Sequence, residues 1–328
     1  MPPAAVSLEA LERLGAAAAS GTPSRRMLVI VNPYASTVSD RLKHLVVYAL
    51  QGRYHVEAVD TESKDHATEI CRQAAQEGYD VVVAFGGDGT VNEAANGIVG
   101  TGTAFTVLPG GRTNVYCRML GIPNDVVDAT EHLLRVADEW EPRTVDVGMV
   151  NDRCFTFSAG VGLDARVVER VDAHPRLKVR MGEWYYTWAA LSAFLRRYVV
   201  HPPRISVEAA GERHEGVLAI IQNGHPYTYF GTRPIEIAEG AELDSGTLAG
   251  VVLRRGSPVD MPTVLWRAFS KRAHIVKHRR ISAFDTAGEV LVRALDGSPV
   301  PIQVDGDYIG EADEARFVIR PRALVTVS

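Results

Sequence analysis

The segment Gly86-Gly87-Asp88-Gly89-Thr90 lies between the apolar run Val81-Val82-Val83-Ala84-Phe85 and the stretch Val91-Asn92-Glu93-Ala94-Ala95-Asn96-Gly97. A short β-branched run bounded by glycines predicts a buried parallel strand. The stretch that follows predicts a helix near 91–99, with Gly97 a candidate C-cap. The glycines then occupy a strand-to-helix turn, where amide groups are free and the helix terminus carries partial positive charge. Such a turn takes phosphate, and glycines let the anion come close to the main chain. Asp88 gains a purpose there when a divalent cation or a reacting hydroxyl accompanies the anion. The alternative is a tight turn in a doubly wound sheet with no ligand.

From Met27 to about Arg143, strand-like runs at 27–31, 54–60, 80–85 and 104–108 alternate with helical ones near 39–51, 65–77 and 91–99. This alternation implies a parallel sheet with helices on both faces, which binds ligands beyond the carboxyl ends of its strands. Asn32, Thr61, the 86–90 turn and the 109–114 turn then line one edge of one crevice. After Asp146 the texture changes to short β segments at 145–150, 153–159, 204–210, 217–223, 247–253, 289–294, 300–305 and 316–327. Helices near 183–199 and 261–272 interrupt them. Regular short strands with Gly, Pro and Asp turns imply an antiparallel sandwich or barrel. The expected organisation is a flexible extension over 1–24, a nucleotide-binding α/β domain over 25–143 and a β-sandwich over 144–328. The last strand is free to return to the first domain. Leu8, Leu11 and Leu14 mark a short helix inside the extension.

At 328 residues and 46% hydrophobic content, the chain can fill two cores. A formal charge of −5 argues against a nucleic-acid partner. Cys71, Cys117 and Cys154 are widely spaced and lack metal-ligand spacing, which implies a reducing cytoplasm. No apolar run reaches transmembrane length, and Glu9 and Glu12 stand where a cleaved signal would be basic. There is no Gly-x-x-x-x-Gly-Lys-Ser/Thr loop, and Gly160-Val161-Gly162 reads as a strand-end turn rather than a dinucleotide fingerprint.

The glycine turn and its flanks resemble the nucleotide-binding signature of the diacylglycerol kinase and sphingosine kinase superfamily, whose remote cousins include NAD kinases. The likeness continues in order through Asn32-Pro33-Tyr34-Ala35-Ser36, Thr61, Leu108-Pro109-Gly110-Gly111-Arg112-Thr113-Asn114 and Val145-Asp146-Val147-Gly148. It runs on through Ala159-Gly160-Val161-Gly162-Leu163-Asp164-Ala165, Asn223-Gly224, Leu243-Asp244-Ser245-Gly246-Thr247-Leu248 and Val304-Asp305-Gly306-Asp307. The set spans roughly residues 27 to 328. It implies a doubly wound Rossmann-like α/β domain followed by an antiparallel β-sandwich.

By the same resemblance, Gly86, Gly87, Gly89 and the Thr90 hydroxyl cradle ATP phosphates, while Asp88 faces magnesium and the transferred group. Asn32 and Thr61 line the nucleotide. Glu93 fits a metal shell or a helix-dipole partner equally. Gly111-Arg112-Thr113 departs from the family's Gly-Thr-x-Asn-Asp: an arginine is inserted, suited to phosphate, and the carboxylate after Asn114 is missing. Asp146 is either a turn residue or a carboxylate that reaches magnesium through water. Asp244 lies in a loop that in some relatives holds a structural magnesium, but Ser245 replaces the usual second aspartate. Asp307 stands where the family's Asp-Gly-Glu block carries the glutamate that takes the proton of the acceptor hydroxyl, one methylene shorter, although Asp305-Gly306 is also a hairpin signal.

The resemblance implies an ATP- and magnesium-dependent lipid kinase acting on a neutral lipid, diacylglycerol first, with phosphatidic acid as product. Sphingoid-base or ceramide phosphorylation, NAD phosphorylation and non-catalytic lipid or nucleotide binding are the competing readings. Trp184, Trp188, Leu191, Leu195 and Tyr198 share one helix face flanked by Lys178, Arg180, Arg196 and Arg197, which suits a lipid mouth or simple packing. Arg267, Lys271, Arg272, Lys277, Arg279 and Arg280 form a basic cluster that suits an anionic membrane surface or a solvated face. The expected location is the cytoplasm, peripherally at the inner face of the membrane, with a homodimer left open.

Overall fold

The computed structural model describes residues 5–18, 25–162, 165, 204–270 and 272–328. The helix expected at 183–199, its flanking basic residues, Asp164 and Lys271 lie outside the described residues. The chain divides into two compact units, Met1–Val145 with Arg322–Ser328, and Asp146–Pro321.

In the first unit the apolar runs are strands: β1 (Arg25–Val31), β2 (Tyr54–Asp60), β3 (Val81–Gly86) and β4 (Ala104–Pro109). They lie in the order β2-β1-β3-β4, all parallel. Both β3 and β4 are buried along their whole length, which is why they read as unbroken apolar runs. Among the described residues six helices accompany them: α1 (Ala5–Ala18), α2 (Asp40–Leu50), α3 (His66–Gln76), α4 (Asp88–Ile98), α5 (Val115–Met119) and α6 (Val126–Glu139). The chain crosses from β1 out to β2 through α2 and back past β1 to β3 through α3, so right-handed connections put α2 and α3 on opposite faces. The contacts agree: α1, α2 and α6 pack together, and α3 packs on α4.

Three features of this unit differ from expectation. The short helix marked by Leu8, Leu11 and Leu14 is α1, but it is packed and not part of a flexible extension: Leu11 is fully buried and Gly15 meets the Tyr48 ring of α2. α4 starts at Asp88 rather than Val91, so half of the glycine motif is its first turn. Gly97 is not a C-cap. A Cβ there would sit 2.4 Å from the Thr68 carbonyl oxygen and 2.5 Å from the Cys71 Cβ, so it is the point where α4 closes on α3. The chain turns instead at Gly100, whose φ is +80°.

Among the described residues the strands of the second unit pair antiparallel. Its strands are β5 (Arg143–Val150), β6 (Arg153–Phe155), β7 (Ser158–Gly162), β8 (Ile205–Ala209), β9 (Glu212–Gly216), β10 (Leu218–Gln222), β11 (Thr228–Phe230), β12 (Arg233–Ile235) and β13 (Leu248–Leu253). After helix α7 (Met261–Ala268) come β14 (Ile281–Ala287), β15 (Glu289–Ala294), β16 (Val300–Val304), β17 (Asp307–Ala312) and β18 (Glu314–Thr326). One sheet runs β14-β13-β10-β7-β16-β17; the other carries β18-β15-β8-β9. Ile221, Val252 and Ile302 of the first meet Val207, Val292 and Phe317 of the second in one core, making a β-sandwich. The strand expected at 153–159 is split into β6 and β7. The last residues of β18 count with the first unit, where Thr326 pairs in parallel with Phe105 of β4.

Candidate active site

Asn32, Thr61 and the two glycine turns of the first unit fall at the carboxyl edge of its sheet. Asn32 follows β1, Thr61 follows β2, Gly86 ends β3, and Gly110-Gly111 follows β4. Main-chain bonds tie these exits together: Asn32 donates its amide to Phe85 O at 3.0 Å, Thr61 to Val31 O at 2.8 Å, and Gly110 to Gly86 O at 2.8 Å. Asn32 Nδ2 donates to Thr90 Oγ1 at 3.0 Å, so one strand end orients the hydroxyl expected to meet phosphate. Its Oδ1 accepts the Tyr34 amide at 3.0 Å and shapes the turn after β1.

The two glycine turns touch backbone to backbone. A Cβ on Gly110 would lie 2.9 Å from Gly86 Cα, and one on Gly111 would lie 2.9 Å from Gly87 Cα. Any side chain at either position would drive the turns apart. Gly87 is the N-cap of α4 and supplies no side chain to close the first helical turn. The start of α4 therefore presents amide donors and the positive end of the helix dipole, the combination that takes an anion.

Asn114, which the sequence reading passed over, braces the second turn. It is buried in a left-handed conformation (φ +46°), accepts the Gly111 amide on Oδ1 at 2.8 Å, and donates from Nδ2 to Gly111 O at 3.0 Å and Asn124 Oδ1 at 2.8 Å. An Asn after a Gly-x-x spacing, able to tolerate αL, was the available signal. Arg112 is exposed at the tip of this loop and Thr113 is half-buried.

Asp88 is half-buried, and its Oδ1 accepts the Tyr116 amide of α5 at 3.3 Å. Its charge also reaches Cys117, whose thiol is pushed up to about 12 first by burial and then by Asp88. Glu93 lies one turn further along α4 on the side of α3. Its carbonyl accepts the Thr68 hydroxyl at 2.8 Å, and its charge adds to the burial that raises the Cys71 thiol. All three cysteines lie outside any disulfide and are buried. Thiols held protonated in this way are inert.

In the second unit, Asp146 is buried, and its Oδ2 accepts the Gly246 amide at 2.6 Å while its own amide donates to Leu243 O at 2.6 Å. It thus anchors the 243–246 loop at both ends. Asp244 is exposed on that loop. The Ser245 hydroxyl lies 3.0 Å from Glu242 O and 3.1 Å from Thr247 O, so its proton serves the carbonyls that a cation in the loop would need. The Asp244 loop does not fit a structural magnesium. Among the described residues no three His, Cys, Asp or Glu side chains cluster as metal ligands. Asp88, a carboxylate beside an anion-taking turn, does fit a cation that arrives with phosphate and keeps most of its waters.

Asp305 and Gly306 have positive φ, +48° and +87°, and form the two-residue turn between β16 and β17. Asp305 is buried, and its carboxylate accepts the amides of Thr156, Phe157 and Ser158. Asp307 opens β17 opposite Val304 and is half-buried.

A doubly wound sheet with a glycine turn at its carboxyl edge, followed by an antiparallel sandwich, makes a two-unit architecture with a Rossmann-type first domain. Residues 26–150 match the family model of the diacylglycerol kinase catalytic domain, and residues 157–328 match the YegS C-terminal NAD kinase beta sandwich-like domain. The chain belongs to this diacylglycerol kinase-like family. The diacylglycerol kinase of Staphylococcus carnosus (strain TM300) is 24% identical over 292 residues, 88% of this chain and 90% of that protein. The diacylglycerol kinase of Staphylococcus aureus (strain bovine RF122 / ET3-1) is 25% identical over 291 residues, 88% of this chain and 87% of that one. The crystal structure of a proposed diacylglycerol kinase from Bacillus anthracis str. Sterne superposes with a TM-score of 0.72 at 23% identity, covering 93% of this chain and 98% of that one. Among the described residues no helix is long and apolar enough to cross a membrane.

Proposed function

We propose that this protein transfers the γ-phosphoryl group of ATP to the hydroxyl of diacylglycerol, giving phosphatidic acid and ADP. The observation that carries the reading is the uncapped start of α4, set between two glycine turns in mutual backbone contact. A surface of amides with no side chains suits a polyphosphate, whose charge is spread over many oxygens. Asn32 and Thr90 add a fixed hydroxyl, and Arg112, exposed on its loop, is available to pair with phosphate.

In this reading the lipid hydroxyl oxygen bonds to the γ-phosphorus as the bond to the bridging oxygen of ADP breaks. The hydroxyl proton passes to the Asp307 carboxylate. Asp88 would hold the magnesium that comes with the nucleotide, and a water-bridged role for Asp146 is what the family resemblance implies. The cation supplies charge neutralisation on the phosphate oxygens. Positioning and electrostatics do most of the work in phosphoryl transfer, which fits a site made largely of main chain.

The test is a transfer assay with purified protein, γ-labelled ATP and magnesium, offering diacylglycerol, ceramide, a sphingoid base or NAD in parallel. Label on diacylglycerol well above the other acceptors is the expected result. Label on NAD alone would replace the lipid reading, and ATP binding without transfer to any acceptor would make the protein a non-catalytic relative.

A further inference from the structure

Helix α7 is apolar on two sides. Val264 is buried and packs with Met261 and Ala268 onto Val251 and Leu253 of the sandwich. The opposite side carries Leu265, 53% exposed, and Trp266, 62% exposed, with Phe269 directly after the helix at 41%. Phe269 meets Phe230 edge-to-face with ring centroids 5.9 Å apart, and Phe230, at the end of β11, is itself 53% exposed. The inner side already supplies what the fold needs, so this outer aromatic patch is surplus to core packing.

The segment that carries the patch is mostly basic, although Glu239 pairs with His274 beside it. Residues 254–280 hold six arginines and two lysines against a single carboxylate, Asp260. That carboxylate is buried and taken by Arg279 Nη2 at 2.6 Å and Arg280 Nε at 2.8 Å. Arg279 nonetheless keeps 73% of its side chain exposed. Tryptophan and phenylalanine flanked by uncompensated basic groups match the boundary of an anionic bilayer, where rings enter the headgroup layer and cations pair with lipid phosphate.

We propose that α7 and the β11–β12 hairpin form the surface that seats this protein on an anionic lipid bilayer, with Leu265, Trp266, Phe269 and Phe230 entering the interface. The proposal deepens the lipid-kinase reading and rests on it for the need to reach a bilayer, not for the surface itself. The experiment is flotation of the full chain, without ATP or diacylglycerol, on phosphatidylcholine vesicles and on vesicles with three parts in ten phosphatidylglycerol. Wild type is expected to partition at least about tenfold more strongly to the anionic vesicles, with the preference falling as salt rises. The variant Leu265→Ser/Trp266→Ser/Phe269→Ser is expected to lose about tenfold or more of that binding, and Arg272→Glu/Lys277→Glu a similar share on anionic vesicles only. Trp266→Ala alone serves if the triple variant does not fold by circular dichroism. Binding unchanged by these substitutions, or equal on both vesicles, overturns the proposal. So does a wild-type dimer in sedimentation equilibrium that Trp266→Ala dissociates, because the occupant is then a second copy. Phosphoryl transfer to a short-chain diacylglycerol in detergent micelles, measured separately, fails if the kinase reading is wrong whatever the flotation shows.

Discussion

One carboxylate oxygen of Asp305 accepts both the amide and the hydroxyl of Thr156, at 2.7 and 2.9 Å. The other oxygen takes the amides of Phe157 and Ser158 at 3.0 Å each, so the tip of the β16–β17 hairpin is sewn to the segment between β6 and β7. Asp307, two residues on, has a different setting: half-buried at the first position of β17. The two aspartates of one block therefore separate into a structural group and a candidate base.

Asp305→Asn is expected to lower stability by about 2–3 kcal/mol, since the amide keeps one acceptor oxygen and turns a donor toward N–H groups. Asp307→Asn is expected to leave the urea midpoint and ATP affinity near wild type and to reduce kcat by about 10²–10⁴-fold. Unfolding curves and single-turnover transfer on both variants separate the roles. Equal loss of activity in well-folded forms of each would remove the distinction.

Asp88→Asn keeps an oxygen to accept the Tyr116 amide, so the start of α5 is expected to stay in place and thermal stability to change little. Transfer is expected to fall by about 10²-fold or more at saturating magnesium, because a neutral amide no longer organises the cation and the transferring group. Near wild-type turnover would exclude Asp88 from the chemistry.

Chelation of magnesium from nucleotide-free protein is expected to leave the unfolding temperature unchanged, because Ser245 and Asp146 close the 242–247 loop with protein groups. Ser245→Ala is expected to cost about 1 kcal/mol through the unmet carbonyls. A chelator-induced drop in the melting temperature of the wild type would show that the loop holds a cation after all.

His278 predicts a pH dependence. Its Nδ1 accepts the Arg280 amide at 3.2 Å and its Nε2 lies 3.0 Å from Thr263 Oγ1, whose own proton goes to Asp260 O at 2.7 Å. That network requires the neutral ring protonated on Nε2. Burial, followed by the charges of Arg267, Arg279 and Arg280 against the opposing pull of Asp260, holds its pKa below the usual 6.5. A depressed pKa means that the unfolded chain binds the proton first, so stability is whole above about pH 6.5 and declines as pH falls below it. Asp260, also depressed, by its bonds to Arg279 and Arg280, acts in the same direction at lower pH. Urea midpoints from pH 7.5 to 5 are expected to fall for wild type and to fall less for His278→Asn, which keeps an acceptor for Arg280.

What could be read from the sequence was what burial and missing side chains write into it. β1, β3 and β4 are apolar because both their faces are covered, and the glycine turns are legible because a Cβ on Gly86 would strike Thr90 and one on Gly110 or Gly111 would strike the facing turn. β9, with Glu212, Arg213, His214 and Glu215, is an edge strand with little buried surface, so it leaves no apolar pattern. β17 is likewise an edge of half-exposed residues, set by its partner β16 rather than by its own composition. Gly97 misled because helix ends and close helix crossings both select glycine, and only the position of Thr68 and Cys71 distinguishes them. The site divides in the same way. The glycine turn and its aspartate announced themselves, whereas Asn114 with Asn124 and the Ser245 closure depend on partners that spacing does not reveal.

The return of β18 to the first unit sets an order of assembly. Thr326 pairs with Phe105, the Val327 amide bonds to Phe105 O at 3.0 Å, and Gly100 donates to Ala323 O at 2.7 Å. The sheet that carries the glycine turn thus stays one strand short while the whole second unit is being synthesised. A nascent chain emerging from the ribosome would expose the open edge of β4 throughout that interval, and unpaired strand edges invite misassociation. Excising the first unit as a fragment ending at Val145 would make that vulnerable intermediate permanent.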